Sequence, residues 1–295
     1  YSGLHEVDGK TYYFSWGEVC TNQCVSENGK SYYCDPEGYV SDISGDGWHQ
    51  VGDYYFYIKN GQYLSNTVEK IGNSYYGFDY RGVMYANRDF SIWNFESQMS
   101  SYYRAKEDGR LYANEWYTDE REVFYYYGED GKAYSGLQEV DGIRYYFYPS
   151  GWRYQNEIVT ADGKVYYCKP DGSAIELQNN DWTKVDDHFM YVKDGQALIN
   201  CVEKIGDSYY GFNYIGVMYA NEDIILRDFE GQISSYYRAK EDGRLYVNEW
   251  YVDKRGNSLY YFYYGDEGKA ASGLTQVDGT LYYFSENGCR YQNEK

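Results

Sequence analysis

The stretch Asp8-Gly9-Lys10-Thr11-Tyr12-Tyr13-Phe14 decides the fold, because it joins a tight-turn dipeptide to a run of aromatic residues. Asp-Gly favours a two-residue hairpin turn, since both central residues can adopt positive φ, and aromatic side chains favour the strand that follows. The stretch therefore predicts a β-hairpin. The same pattern returns at three further places: Asn28 to Cys34, Asp141 to Phe147 and Asp278 to Phe284.

A longer repeat contains these hairpin motifs. The run 100–112 recurs without a change at 234–246. Self-similarity at a fixed period is typical of repeat architectures. We therefore divide the chain into a first long repeat over 1–134, a second over 135–271 and the start of a third over 272–295.

The repeated hairpins predict an all-β fold, arranged as an elongated β-solenoid of tandem aromatic hairpins. A single two-stranded hairpin is marginally stable in water, so each one has to bury its rings against the hairpins before and after it. The segment Arg88 to Met99, matched by Glu222 to Ile233, lacks the Tyr-Tyr motif. We expect it to form a loop or short extra element, with Phe90, Trp93 and Phe95 in the core.

The composition agrees with many short strands around a narrow aromatic core. The 295 residues include 44 tyrosines and 32 glycines, so the hydrophobic share of 43% overstates the aliphatic content. The formal net charge of −19 argues against a nucleic-acid partner, because phosphate recognition requires a basic surface. No apolar run in the sequence is long enough to span a bilayer, so we expect no membrane insertion.

The six cysteines allow two interpretations. They include no Cys-x-x-Cys pair and no neighbouring histidine cluster, so the sequence does not favour a zinc site. The first interpretation is mostly free thiols that act as small core residues. The second is a local disulfide among Cys20, Cys24 and Cys34.

The recurring Gly-x-x-Tyr-Tyr-Phe pattern, which extends from Gly3 to Tyr291, resembles the cell-wall-binding and glucan-binding repeat superfamily. This superfamily includes choline-binding repeats, the YG repeats of glucansucrases and the repetitive oligopeptides of clostridial toxins. The resemblance implies stacked hairpins and a glycan or cell-wall ligand at a bacterial cell surface.

Two sequence details bear on the ligand that the resemblance implies. Choline-binding members carry a Gly-Trp opening and a Trp-Tyr-Tyr strand, and their aromatic rings enclose a quaternary ammonium. Here the opening survives as Gly47-Trp48, but the strand tryptophan is missing, because Asp53 precedes Tyr54-Tyr55. The Tyr-Tyr-Phe variant is closer to the glucan-binding relatives, so we expect an α-glucan.

Sugar recognition requires a flat aromatic face for the apolar side of a pyranose, and polar groups for its hydroxyls. Tryptophans at repeat-equivalent positions, strand tyrosines and glutamines behind turn glycines meet this requirement. The candidate ligand-binding residues are Trp48, Tyr55, Gln62, Trp116, Tyr126, Trp182, Gln196, Trp250 and Tyr261. For each ring the sequence leaves open whether it binds ligand or packs hairpins together. Arg104 with Lys106, repeated as Arg238 with Lys240, are further polar candidates, with a solvated hairpin face as the alternative.

The sequence does not predict an enzyme. The three histidines fall at non-equivalent positions, and neither a nucleophile elbow nor a phosphate loop is present. A narrow solenoid also offers no dry cleft in which to raise the pKa of a catalytic carboxyl group. We therefore expect no catalytic residue, no metal and no cofactor.

The predicted function is a non-catalytic module that anchors a parent protein to a polysaccharide or cell-wall glycan, with an α-glucan as the expected ligand. One alternative is a choline or teichoic-acid cell-wall anchor. Another is a structural spacer or receptor-binding region of a surface protein or toxin. The chain starts inside a repeat at Tyr1-Ser2-Gly3-Leu4 without a signal-peptide pattern, so we expect it to be part of a longer secreted or cell-surface polypeptide.

Overall fold

A computed structural model describes residues 2–227 and 233–292 of the chain. These residues form 31 β-strands and no helix, which confirms the predicted all-β class. Within the same two ranges, no helix has the length and apolarity that crossing a bilayer requires. The strands make thirteen small sheets of two or three strands, and every strand pairs with a neighbour in sequence.

Two compact units divide the chain. Unit 1 comprises Tyr1–Gln138 and Phe147–Arg153, and unit 2 comprises Glu139–Tyr146 and Tyr154–Lys295. The first fifteen strands lie in unit 1 and are β1 (Gly3–Val7), β2 (Lys10–Ser15), β3 (Glu18–Val19), β4 (Gln23–Glu27), β5 (Lys30–Cys34), β6 (Val40–Asp42), β7 (Gly47–Val51), β8 (Tyr54–Lys59), β9 (Gln62–Tyr63), β10 (Thr67–Ile71), β11 (Ser74–Phe78), β12 (Arg88–Asn94), β13 (Met99–Ala105), β14 (Glu115–Thr118) and β15 (Phe124–Tyr127).

The remaining sixteen strands continue the same hairpin order. They are β16 (Gly136–Val140), β17 (Ile143–Phe147), β18 (Glu157–Ala161), β19 (Lys164–Cys168), β20 (Ala174–Leu177), β21 (Asp181–Val185), β22 (His188–Lys193), β23 (Gln196–Ala197), β24 (Cys201–Ile205), β25 (Ser208–Phe212), β26 (Asp223–Arg227), β27 (Ile233–Arg238), β28 (Glu249–Arg255), β29 (Ser258–Tyr264), β30 (Gly273–Val277) and β31 (Thr280–Phe284).

The Asp-Gly and Asn-Gly dipeptides form the hairpin turns, as predicted. Between β1 and β2, Asp8 has a φ of 51° and Gly9 a φ of 75°, and the antiparallel register closes on Val7 opposite Lys10. Positive φ at both central residues is the geometry of the turn that matches the twist of the flanking strands. The turn therefore fixes the register, and the register fixes which aromatic side chains share a face.

The core is a series of small clusters rather than one wide interior. Fully buried phenylalanines recur at the end of the second strand of a hairpin, as Phe78, Phe147, Phe212 and Phe284, and Phe56 is fully buried in the middle of β8. Cys34 and Cys168 take the phenylalanine position of the motif and are also fully buried. All six cysteines are unbridged, so the interpretation as free thiols is confirmed and that of a local disulfide is wrong.

One cluster in unit 2 is more aliphatic than the composition led us to expect. Met190 stands where the matching hairpin of unit 1 has Phe56. Buried aliphatic residues surround it together with Tyr167, and they are Val165, Leu177, Val185, Val192 and Val217. The second repeat thus keeps the hairpins of the first while it exchanges ring packing for aliphatic packing.

The segment predicted as a loop or short extra element is a long hairpin. β12 pairs with β13 from Arg88 opposite Ala105 to Asn94 opposite Met99. Phe90 is buried as expected, but Trp93 is 47% and Phe95 83% exposed, so their assignment to the core is wrong. Trp93 lies three positions after the buried Phe90 on β12, so its side chain points to the opposite face of the strand. Phe95 lies in the turn that follows β12.

In unit 2 the matching segment begins with strand β26. Residues 228–232 of that segment lie outside the described residues.

Candidate functional site

Four aromatic boxes occur among the described residues, and they share one construction. A tryptophan on the first strand of a hairpin faces two aromatic residues on the second strand, which are two positions apart and therefore on one face. One further residue, a methionine or an arginine located shortly after the next hairpin in the chain, completes each box. We name them box 1 (Trp48, Tyr55, Tyr57, Tyr76, Met84), box 2 (Trp116, Phe124, Tyr126, Arg153), box 3 (Trp182, Phe189, Tyr191, Tyr210, Met218) and box 4 (Trp250, Tyr261, Tyr263, Tyr282, Arg290).

Box 1 joins the hairpin β7–β8 to the hairpin β10–β11 in unit 1. Trp48 lies opposite Tyr57 in the strand register, and their rings meet edge-on with 5.1 Å between centroids at 73°. Tyr76 of β11 approaches the same indole at 4.8 Å and 70°. The buried ring of Phe78 lies 6.0 Å from the indole. Trp48 nevertheless remains 41% exposed, so it packs hairpins together and also presents surface to solvent.

An open pocket of ≈ 470 Å³ adjoins box 1. It combines aromatic and apolar walls with three carboxylates, and its lining residues are Trp48, Asp53, Tyr55, Tyr76, Met84, Ala86, Glu107 and Asp108. Ionised carboxylates accept hydrogen bonds from hydroxyl groups, and they also attract cations. The pocket can therefore hold a polyhydroxyl ligand or a small cation against its rings.

The Asp108 carboxylate of this pocket is held in its charged form. Burial works against ionisation here, but the backbone N–H and the guanidinium of Arg110 donate hydrogen bonds that outweigh it and lower the pKa of Asp108. In unit 2, Arg244 similarly lowers the pKa of Asp242, chiefly through its side-chain hydrogen bond. These carboxylates thus stay acceptors for hydrogen bonds at neutral pH.

Box 3 repeats box 1 in unit 2. The indole of Trp182 meets Tyr191 at 5.1 Å and 70°, and Tyr210 of the next hairpin at 4.9 Å and 68°. The backbone N–H of Met218 donates to the carbonyl of Phe189 at 2.8 Å. Box 3 differs in that Phe189 replaces a tyrosine, so this wall lacks a hydroxyl group.

Boxes 2 and 4 contain an arginine where boxes 1 and 3 have methionine. In box 2 the guanidinium carbon of Arg153 lies 4.2 Å from the ring centroid of Phe124 and 5.8 Å from that of Trp116. In box 4 the guanidinium of Arg290 lies 4.5 Å from the Tyr261 ring. Both arginines thus lie over aromatic faces, at distances typical of cation–π contacts.

The structure brings seven of the nine predicted ligand-binding residues into the boxes. Trp48 and Tyr55 fall together in box 1, and Trp182 falls in box 3. Box 2 contains Trp116 and Tyr126, and box 4 contains Trp250 and Tyr261. A ligand-binding role for each of these residues stays a prediction.

The two glutamines lie elsewhere. Gln62 is exposed opposite Lys59 in the pairing of β8 with β9, and it is not one of the residues that line the pocket of box 1. Gln196 is exposed in the same position opposite Lys193. Their place directly behind a turn glycine keeps them at the hairpin tip, away from the tryptophan.

Sequence reasoning missed Tyr57, Tyr76 and Met84, as well as their unit 2 counterparts. The turn contained a signal for Tyr57, because a two-residue turn after Val51 sets Trp48 opposite Tyr57. Tyr76 and Met84 carry no local signal, since they reach the box from the next hairpin.

The further polar candidates link neighbouring hairpins. Arg104 forms an ion pair with Asp89 at 2.9 Å, and its guanidinium lies 4.1 Å from the ring centroid of Tyr117. Lys106 pairs with Glu115 at 2.6 Å. The same two ion pairs recur in the second repeat, Arg238 with Asp223 and Lys240 with Glu249. These residues therefore serve hairpin packing rather than a free solvated face.

A second cavity of ≈ 310 Å³ lies beside the long hairpin β12–β13 in unit 1. Its walls include Tyr102 and Trp152, which are each 40% exposed. Asp89, Ser91 and Ser150 provide polar groups.

No family model matches the chain. The sequence is 27% identical over 294 residues to Glucosyltransferase-I of Streptococcus downei, a match that covers 97% of this chain and 16% of the relative. It is 28% identical over 187 residues to Glucosyltransferase-S of Streptococcus mutans serotype c, which covers 61% of this chain and 12% of the relative. The chain thus spans less than a fifth of the length of these curated relatives.

Among solved structures, choline binding protein F from Streptococcus pneumoniae matches 99% of this chain and 100% of its own, with 18% identity and a TM-score of 0.31. The similarity in sequence to glucosyltransferases confirms the resemblance to the cell-wall-binding and glucan-binding repeat superfamily.

Proposed function

We propose that this chain is a non-catalytic carbohydrate-binding module, and that box 1 and box 3 bind an α-glucan. The observation that carries the proposal is the open pocket beside Trp48, with aromatic walls and a rim of three carboxylates. The rings suit the apolar face of a pyranose, and the carboxylates accept hydrogen bonds from its hydroxyls. The similarity to glucosyltransferases favours a glucan over other neutral glycans.

The module serves as one region of a longer secreted or cell-surface protein, which it anchors to polysaccharide. The short share of each relative that the chain covers, 16% and 12%, supports this role. A single aromatic contact contributes about 0.5–1.5 kcal/mol beyond area burial, so one box alone binds a sugar weakly. Repetition of the box along the chain compensates for this weakness when the ligand is a polymer.

The finer architecture belongs to the same proposal: an elongated β-solenoid built from the repeats 1–134, 135–271 and 272–295. Pairing of strands only with neighbours in sequence supports it. Small-angle scattering of the full chain tests it. A compact protein of this length has a radius of gyration of about 19 Å, and the solenoid requires a clearly larger value.

A choline anchor is a second candidate, and box 1 gives a specific reason for it. The rings of Tyr57 and Tyr76 both contact the indole of Trp48, so box 1 gathers three rings although the strand tryptophan is missing. Ring faces attract quaternary ammonium groups, and the rim of carboxylates adds negative charge.

Retention on insoluble dextran, on starch and on a choline resin separates these candidates. We expect the full chain to bind an α-glucan, and the variant with both Trp48→Ala and Trp182→Ala to lose this binding because both platforms are gone. Trp16→Ala is the matched control, since Trp16 is 96% exposed and belongs to no box. Asp53→Asn, which leaves the ring packing intact, should weaken binding without an effect on folding.

Each alternative has its own outcome. Retention on choline resin that free choline reverses, without retention on either glucan, would establish the second candidate instead. Failure of the unaltered chain to bind any of the three supports would favour a spacer or receptor-binding region.

A further inference from the structure

The four boxes differ at the residue that closes them. This residue forms the same isolated bridge to the buried phenylalanine in each box, and the pairs are Phe78 with Met84, Phe147 with Arg153, Phe212 with Met218 and Phe284 with Arg290. Its backbone N–H also donates the same hydrogen bond, for example from Met84 to Tyr55 at 2.9 Å and from Arg290 to Tyr261 at 2.8 Å. The backbone of the four positions is therefore equivalent, and only the side chain changes.

Box 4 shows what the arginine does. Trp48, Tyr55 and Tyr76 line the open pocket of box 1. Their counterparts in box 4 are three rings that surround the guanidinium carbon of Arg290, with centroid distances of 5.8 Å to Trp250, 4.5 Å to Tyr261 and 5.6 Å to Tyr282. The guanidinium thus lies where box 1 has its pocket.

Box 2 follows the same arrangement. Arg153 lies over Phe124 and Trp116, which correspond to the two hairpin walls Tyr55 and Trp48 of box 1. Two boxes that share one backbone arrangement, one in each unit, therefore hold an internal cation between the same walls.

Met84 leaves box 1 open for a structural reason. A Cβ added at Gly109 would lie 2.2 Å from Cε of Met84, so this side chain packs directly on the glycine backbone in the turn that follows the next hairpin. Met218 packs on Gly243 with the same geometry. A neutral thioether held against the neighbouring hairpin forms a wall of the box, whereas a guanidinium between the rings fills it.

We propose that Arg153 and Arg290 act as internal ligands that close boxes 2 and 4, so that the chain offers one open box in each unit. This inference rests on the proposed function, because it assumes that an open box binds an external ligand. A tethered group competes at an effective concentration on the order of millimolar or higher, which matches the weak affinity of one box. An external ligand has to displace the arginine, so its apparent affinity for boxes 2 and 4 falls below that for an open box.

Exchange of the two closing residues tests the proposal by isothermal titration of the full chain with isomaltohexaose and, separately, with choline chloride. We expect two sites per chain in the unaltered protein and four in the variant Arg153→Met with Arg290→Met. The reverse variant, Met84→Arg with Met218→Arg, should bind neither probe. Both exchanges use a side chain that the same backbone position already accommodates, so the fold should tolerate them.

The outcomes separate this inference from the proposed function. Two sites in both the unaltered chain and the methionine variant would overturn the inference and leave the proposed function intact. If the unaltered chain binds neither probe, the proposed function fails. The inference is then decided by NMR, since ring currents should move the Cδ protons of Arg153 and Arg290 upfield. Random-coil shifts for these protons would overturn it.

Discussion

At the scale of the residue, burial of tyrosine hydroxyls and thiols controls how the protein titrates. Burial raises the pKa of Tyr33 to about 12 and that of Cys34 to about 12. Burial also raises the pKa of Tyr127 and Tyr264 well above the usual value. Burial disfavours the ionised form of each of these groups, so each is neutral in the folded state.

We therefore expect stability to fall in alkali. Unfolded thiols ionise near pH 8.5 and unfolded tyrosines near pH 10, before the buried groups do. The contribution of these groups is fully present below about pH 8.5 and is lost as the pH rises toward 12. Urea unfolding at pH 7, 9 and 10.5 measures the decline. Tyr33→Phe should make the decline in stability between pH 9 and pH 10.5 less steep. An unchanged slope in this variant would contradict the assignment to Tyr33.

At the scale of the element, the hairpins depend on single residues with left-handed backbone. Asn66 precedes β10 with a φ of 47°, and Asn200 precedes β24 with a φ of 46°. The backbone N–H of Asn66 donates to the carbonyl of Asp79 at 2.9 Å, at the end of the same hairpin. Asparagine tolerates this region better than other residues with a Cβ, which accounts for its recurrence before first strands.

The effect of a substitution at Asn66 on stability should depend on whether the new residue tolerates positive φ, and not on the loss of the asparagine side chain. We expect Asn66→Val to lower the free energy of unfolding by about 1–2 kcal/mol, since a β-branched residue is disfavoured at positive φ. Asn66→Gly, which adopts positive φ without steric cost, should stay close to the unaltered chain. Chemical denaturation of both variants measures the difference. Equal destabilisation by valine and glycine would show that the asparagine side chain matters instead.

At the scale of the whole molecule, the two long repeats place one methionine-containing box in each unit. Box 1 and box 3 share the same ring geometry, with Trp48 and Trp182 each in contact with a tyrosine of the next hairpin at 4.8 and 4.9 Å. Two weak sites that meet one polymer can gain roughly 10²–10⁴ in avidity without a new contact.

Loss of one box should therefore affect polymer and oligosaccharide differently. Trp182→Ala should halve the number of sites for a short oligosaccharide and leave the affinity per site near millimolar, about −4 kcal/mol. Affinity for long polymer should fall by most of the avidity factor. Calorimetry with the oligosaccharide and pull-down with the polymer measure the two effects. Undiminished polymer binding in this variant would mean that one unrepeated site carries the function.

The sequence by itself determined the hairpins of this protein. Positive φ at Asp8 and Gly9 and the alternation of residues such as Tyr12 and Tyr13 are encoded within a few residues, so turn type and strand position follow from local chemistry. The tryptophan positions also followed from the sequence, because the long repeat preserves them. The exposure of Trp93 did not, since the register of a hairpin between Arg88 and Ala105 had no turn dipeptide to announce it.

Only the tertiary structure decided how the hairpins combine into a site. Trp48 meets Tyr76, which is 28 positions away in the sequence, and this contact exists only because one hairpin packs on the next. The same packing determines that Met84 borders an open pocket whereas Arg290 lies between rings. Local propensity sets the backbone of each hairpin, but the contents of a box depend on side chains that meet across hairpins.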